Sequence, residues 1–133
     1  MKKILLYIAL AVSGTVAAQE SSVDTDSEVE KCEYIMYKKN AHASYYHDKF
    51  TGRKTASGRR FNNNELTAAH KKFPFGTKLR VTNEINNKSI IVEITDRGPF
   101  IKGREIDLSK RAFMDIASNK KSGLVYVTIE ILK

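Results

Sequence analysis

Three stretches of this chain alternate apolar and polar residues with a period of two: "KLRVTN" (Lys78–Asn83), "KSIIVEITD" (Lys88–Asp96) and "LVYVTIEIL" (Leu124–Leu132). That period sends successive side chains to opposite faces of an extended strand, so each stretch carries one apolar face that must be covered. Leu79 and Val81 share the first such face. Ile90, Val92 and Ile94 share the second, and Val125, Val127, Ile129 and Ile131 the third. Between the first two lies "EINN", where Asn86 and Asn87 can take positive φ, so the pair reads as a hairpin. Shorter strand candidates are Ala41–Tyr46 and Leu66–His70. One helix is expected over Lys110–Ser118, capped by Ser109 and burying Ala112, Phe113 and Ile116. Many short strands with one small helix point to a compact β-barrel, not to an α/β sheet.

The start of the chain does not belong to such a barrel. "MKKILLYIALAVSGTVAAQE" opens with Lys2 and Lys3, continues with an apolar run over Ile4–Val12, and reaches small residues at Val16-Ala17-Ala18. That is the layout of a secretory signal peptide, and its apolar run is too short to span a bilayer. Residues 1–18 are therefore expected to be removed, leaving 115 of the 133 residues as an exported protein, periplasmic or secreted, with no membrane anchor. Residues 19–33, "QESSVDTDSEVEKCE", are acidic and Ser-rich and read as a flexible linker, which leaves the folded domain to residues 34–133. The only cysteine, Cys32, lies in that linker, so no intrachain disulfide can form. Its position beyond an acidic segment does not suit a lipid anchor.

Without Lys2 and Lys3 the chain carries 21 Lys and Arg against 15 Asp and Glu, a balance of +6. A basic protein attracts anionic partners, and an export signal turns that expectation from nucleic acid toward cell-wall polymers. No glycine-rich phosphate loop follows a strand and opens a helix. No Gly-x-Ser-x-Gly elbow is present either, so nucleotide binding and covalent serine or cysteine catalysis are not expected. His42, His47 and His70 have no Cys pair, H-E-x-x-H motif or EF-hand loop around them. No metal and no other cofactor is expected.

One carboxylate stands out. Asp96, in "EITDRGPF", ends the second alternating stretch and shares the parity of Ile90, Val92 and Ile94, so it is expected to continue the inward face at the barrel rim. Gly98 and Pro99 then turn the chain. A partly desolvated carboxyl at such a place suits a general acid working near neutral pH. The commoner role of an aspartate there is structural, bonding turn amides and pairing with Arg97 or Arg104, and spacing alone leaves both open. His70 is open between supporting the site and sitting at the core edge. Tyr45 and Phe100 are the aromatic residues expected to face a groove, although most aromatics of a small barrel are core.

Three blocks, "GRKTASG", "LTAAHKKFPFGTKLRVTN" and "DRGPFIKGREIDLS", occur in that order. From Ala43 to Leu132 the chain resembles the rare lipoprotein A family, the RlpA-like lytic transglycosylases. The resemblance implies a single six-stranded double-psi β-barrel with one or two short helices. It implies endolytic cleavage of peptidoglycan glycan strands, with a preference for strands without stem peptides, leaving 1,6-anhydro-muramyl ends. It puts the catalytic aspartate at Asp96, a motif histidine at His70, and a serine-tyrosine segment at Ser44 to Tyr46. Asp107, in "EIDLS", lies in a family motif and is expected to cap the helix, support the site, or both.

Two positions depart from the family pattern. Where many members read "GERFD", this chain reads "GRRFN", with Arg59 and Asn62 in place of the acids. The second carboxylate of the family is thus absent, and Glu65 is merely near it in sequence. A transglycosylase can work with one carboxyl, which protonates the leaving oxygen and later takes the proton of the muramyl C6 hydroxyl. Asp96 could fill both roles, with Arg59, Asn62, Arg97 and Arg104 lining an anionic groove. The alternative is a non-catalytic, expansin-like wall-binding module. The barrel is expected to act as a monomer on peptidoglycan glycan strands, without nucleic acid. The chain ends at Lys133, so no C-terminal septal-targeting domain is expected.

Overall fold

The computed structural model describes residues 33–133. The expected signal peptide, Cys32 and all but the last residue of the acidic linker lie outside the described residues. Tyr34–Lys133 form one compact unit. Its strands are β1 (Tyr34–Tyr45), β2 (Thr67–Ala69), β3 (Lys78–Asn83), β4 (Ser89–Asp96), β5 (Ile106–Leu108) and β6 (Val125–Leu132), with one helix, α1 (Lys110–Ile116), and a 3-10 turn at Asp48–Phe50. The sheet closes in the order β1-β5-β2-β4-β3-β6, with β6 back against β1. β1 and β5 run parallel, as do β2 and β4, and the other pairs are antiparallel. This is the closed six-stranded barrel that the resemblance implies.

The three alternating stretches form β3, β4 and β6, side by side in the barrel wall. Leu79, Val81, Val92, Ile94, Val127 and Ile129 are all 1% exposed or less. Burying each such aliphatic side chain stabilises the fold by about 1.5–3 kcal/mol. The β3–β4 turn places Asn87 at φ 62. Nearby Asn83, fully buried, and Asn86 both donate side-chain N–H groups to the Ile116 carbonyl, at 2.7 and 3.1 Å. The hairpin therefore ties down the last carbonyls of α1, which would otherwise lack partners. Ser109 caps the helix by accepting from the Ala112 amide at 3.2 Å, and Ala112, Phe113 and Ile116 are buried.

β1 is longer than the alternation indicates. Its pairing with β6 slips between Met36 and Lys38 and again between Lys38 and Ala41, and Asn40 sits at φ 56. Only from Ala41 onward does the strand hold a regular inward face. β5, three residues long, carries too little pattern to be read from the sequence. Topology then positions the site. β2 lies between β4 and β5, so the 97–105 connection arches over the C-terminal end of β2, where His70 follows the strand.

Candidate active site

Asp96 does not continue the inward face of β4. Pairing of β4 with β2 shifts by one residue between Ala68↔Ile94 and Ala69↔Asp96, so Thr95 is the extra residue of a bulge. Ile94 and Thr95 are both buried, and Asp96 emerges on the side of Ala69. The parity expectation fails here because parity assumes an unbroken ladder. Gly98, at φ 124, turns the chain immediately afterwards, and a Cβ there would lie 3.6 Å from the Phe100 ring.

The bulge brings a second carboxylate into register. Ala69 pairs with Asp96 on one side and with Asp107 on the other, and Asp107 pairs in turn with Ser44 on β1. Ser44, Asp107, Ala69 and Asp96 thus form one row across four strands. Two strand spacings separate the aspartate backbones, roughly 10 Å. Sequence reasoning left Asp107 as a helix cap or site support. Ser109 makes the cap itself, and Asp107 accepts at Oδ1 from the Ser44 hydroxyl and from Arg104 Nη2 (2.8 Å for the latter). Among the described residues, Asp107 Oδ2 accepts no hydrogen bond.

Three donors converge on Asp96. Its Oδ1 accepts from the backbone amides of Ala56 (2.8 Å) and Arg97 (2.9 Å), and its Oδ2 accepts from the Tyr46 hydroxyl (2.6 Å). Tyr46 is stacked on Phe61 with centroids 4.4 Å apart and meets Phe50 edge-on. Burial, then the Asp96 hydrogen bond, pushes its phenol far above the ordinary range, so Tyr46 keeps its proton as the donor. The amide bonds expected of a turn aspartate are present, but neither the Arg97 nor the Arg104 guanidinium pairs with Asp96.

A cleft of about 330 Å³ opens beside this row, lined among others by Tyr45, Tyr46, Arg97, Phe100, Arg104 and Asp107. Tyr46 and Asp107, which the family motifs pointed to without a stated contact, both line it, and His47, Phe50 and Ile101 are lining residues that sequence reasoning did not place at the site. Asp96 is not among the residues lining the cleft; its neighbour there is Tyr46, whose hydroxyl donates to it. Tyr45 lines it while packing on Phe113 of the helix at 4.6 Å. Phe100 is 81% exposed at the rim. The Arg97 guanidinium is held by the carbonyls of His70 (3.3 Å) and Phe73 (2.9 Å) and stacks over Phe75, so it braces the cleft wall. Arg104 donates to Ser44 and Asp107, while its Nε is buried without a partner.

Arg59 and Asn62 lie outside the cleft lining. Arg59 pairs with Glu93 at 3.1 Å and with Glu65 at 3.8 Å, and Glu65 therefore meets Arg59, not Asp96. Asn62 turns its own loop, accepting the amides of Asn64 and Glu65. The His70 side chain does not bond Asp96 either; the contact between them is the His70 amide on the Asp96 carbonyl, 3.2 Å. The ring is 1% exposed, takes the Lys72 amide on Nδ1 (3.0 Å) and meets Glu105 Oε2 through Nε2 (2.7 Å). Burial holds its imidazole below the ordinary histidine range, against the pull of Glu105. Burial pushes the Glu105 carboxyl up, but the hydrogen bonds of Lys38 and His70 outweigh it and hold the group below its ordinary value. Among the described residues, no three His, Cys, Asp or Glu side chains are placed to hold a metal ion.

Comparison with known proteins agrees with the fold. The lytic transglycolase family model matches residues 38–129. The endolytic peptidoglycan transglycosylase RlpA of Pasteurella multocida is 48% identical over 97 residues, covering 73% of this chain and 33% of that protein. A probable endolytic peptidoglycan transglycosylase RlpA of Aquifex aeolicus is 46% identical over 101 residues, covering 75% and 40%. The matched part spans 33% and 40% of the length of these two relatives. Among solved structures, the Streptomyces papain inhibitor superposes with a TM-score of 0.57 at 22% identity, covering 76% of this chain and all of that one. A Clavibacter michiganensis expansin gives a TM-score of 0.57 at 17% identity, covering 71% and 50%. At these identities the two structures speak for the fold alone.

Proposed function

This chain belongs to the lytic transglycolase family, and on that premise we propose that it is an endolytic peptidoglycan transglycosylase acting outside the cytoplasm. Its substrate is the glycan strand, preferentially without stem peptides, and its product carries a 1,6-anhydro-muramyl end. The observation that carries this reading is the row of Asp96 and Asp107 beside a cleft rimmed by Tyr45 and Phe100, aromatic faces on which sugar rings can stack.

In this mechanism Asp96, coupled to the Tyr46 hydroxyl at 2.6 Å, handles the proton. Asp96, entering the step protonated and with the Tyr46 hydroxyl beside it, gives its proton to the glycosidic oxygen as the C–O bond breaks, and positive charge builds on the muramyl ring. The C6 hydroxyl of the same sugar then attacks C1 and returns its proton to Asp96, so no water is consumed. Asp107 faces the developing charge as a fixed anion held by Arg104 and Ser44. Phe100 and Tyr45 hold the strand, and Arg104 contributes the cationic side of the groove. Among the described residues no helix is long and apolar enough to cross a membrane.

The test is incubation of the exported chain and its Asp96→Asn variant with glycan strands stripped of stem peptides, read by mass spectrometry. Anhydro-muramyl products from the first and none from the second support the mechanism. Retained glycan binding with no products from either makes the barrel an expansin-like binding module instead.

A further inference from the structure

We propose that His70 and Glu105 form a clasp that fixes both ends of the 97–105 loop, so that His70 serves the reaction by position and carries no proton in it. The inference rests on the transglycosylase reading for its kinetic part, while its structural part stands on the barrel alone.

His70 follows β2, directly beneath the arch of that loop. Its backbone amide donates to the Asp96 carbonyl at 3.2 Å, and its carbonyl accepts from Arg97 Nη1 at 3.3 Å. Those two contacts hold the near end of the loop. Its ring reaches the far end, where Nε2 meets Glu105 Oε2 at 2.7 Å. Because Nδ1 accepts from the Lys72 amide, Nε2 is the nitrogen that bears the proton and donates. Glu105 is anchored in turn to β1, through Lys38 Nζ on Oε1 (2.9 Å) and through its own amide on the His42 carbonyl (2.8 Å).

The ring itself is excluded from the cleft. It is 1% exposed, Phe73 packs against it at 4.4 Å, and Tyr37 meets it edge-on at 5.7 Å. Both nitrogens are spent on the protein, so neither can meet a sugar. Between the clasped ends lie the cleft residues Arg97, Phe100 and Arg104. Asp96 stands one residue before the loop and Asp107 two residues after it. The clasp therefore holds the loop that joins the two carboxylates, whose backbone spacing the sheet sets through Ala69.

The test compares His70→Ala, His70→Gln and Glu105→Ala with the parent chain, by amide hydrogen exchange and by turnover on stripped glycan. A glutamine amide can still donate to Glu105, whereas it cannot act as an acid or base. Losing the clasp in either alanine variant is expected to speed exchange over 97–104 by about tenfold, with β3 and β6 unchanged. A loop displaced in this way lowers kcat/KM on the order of 10²-fold, while His70→Gln stays within about threefold of the parent.

A glutamine variant with a protected loop but the turnover of the alanine variant makes His70 a proton carrier and overturns the proposal. Unchanged exchange in Glu105→Ala overturns the clasp. That variant also serves if His70→Ala does not fold, since Glu105 lies at the surface end of the contact. Should the glutamine variant not fold, the pH–rate profile of Glu105→Ala decides, because an ionisation carried by His70 would move when its partner goes. A parent chain without products overturns the transglycosylase reading and leaves the exchange data to decide the clasp.

Discussion

Asp96 and Asp107 stand at one level of the barrel, one strand to either side of Ala69, yet they are held in opposite ways. Asp96 receives two backbone amides and a tyrosine hydroxyl, all uncharged. Asp107 receives a hydroxyl and a guanidinium, and Arg104 is 22% exposed on its side chain. Replacing Asp107 by an uncharged residue would leave the Arg104 charge without its partner in a half-buried setting, which costs free energy. Two residues of one type, in matching register, thus meet different partners, uncharged donors on one side and a cation on the other, and the proposed mechanism gives them different roles. Environment, not residue type, assigns the roles.

The largest expected effect breaks the proton-exchanging side. Asp96→Asn keeps the shape and removes the acid, so anhydro-product formation should fall on the order of 10³-fold while glycan binding stays near that of the parent. Asp107→Asn should lower kcat by about 10²-fold, the size of effect typical of one lost electrostatic contact to a transition state. The comparison sharpens if Arg104→Gln is added. The aspartate and arginine changes should then be strongly non-additive in kcat, because each removes the same pair. Equal losses from the two aspartate variants, with additive coupling to Arg104, would erase the distinction between the carboxylates. Tyr46→Phe is milder, with turnover expected to fall about tenfold, since Asp96 keeps its two amides but loses the hydroxyl donor.

The sequence makes the barrel wall readable and leaves much of this site hidden, for one physical reason. Alternation marks β3, β4 and β6 and their inward faces because each of them keeps an unbroken ladder over several residues. The Ser109 cap and the buried face of α1 are local features and can be read directly. The side on which Asp96 emerges depends on the bulge at Thr95, which shows only in the pairing with β2. The Asp107 row, the Tyr46–Asp96 bond and the His70–Glu105 contact join residues 27 or more positions apart, as does the Asp107–Ser44 bond, whose partners are 63 apart. No periodicity reports such partners. Motif resemblance did point to Asp96, and to "EIDLS" and the serine-tyrosine segment, without saying what their side chains touch.

A pH-dependent effect of smaller size tests the His70–Glu105 contact. His70 and Glu105 are both held below their ordinary values in the fold, with Lys38, Lys71, Lys72 and Tyr37 as the titratable neighbours. For a group depressed in the folded state, stability is present above its unfolded value and is lost as pH falls. For His70 that loss begins below about 6.5, and for Glu105 below about 4.5. Thermal melts should therefore show a drop in Tm from pH 7 to pH 5 in the parent chain and a shallower one in His70→Gln. Parallel curves would show that the imidazole does not titrate differently in the two states.

The smallest expected effect concerns Arg59, at the position where the family resemblance implies an acid. Its guanidinium is taken up by Glu93 and Glu65 and lies outside the cleft. Half of its side chain is exposed, so the two ion pairs stabilise little, about 0–1 kcal/mol each. Arg59→Glu would place three carboxylates together and lower the melting temperature slightly. Turnover and glycan affinity should remain within about twofold of the parent, because neither the Asp96 donors nor the Asp107 pair involves this residue. A clear loss of glycan affinity would instead put Arg59 on the substrate path, as an anion contact that the arrangement of Glu93 and Glu65 releases on binding. A clear gain in turnover would mean that a carboxylate at this position takes part in the chemistry, and that Asp107 does not fill the second role alone.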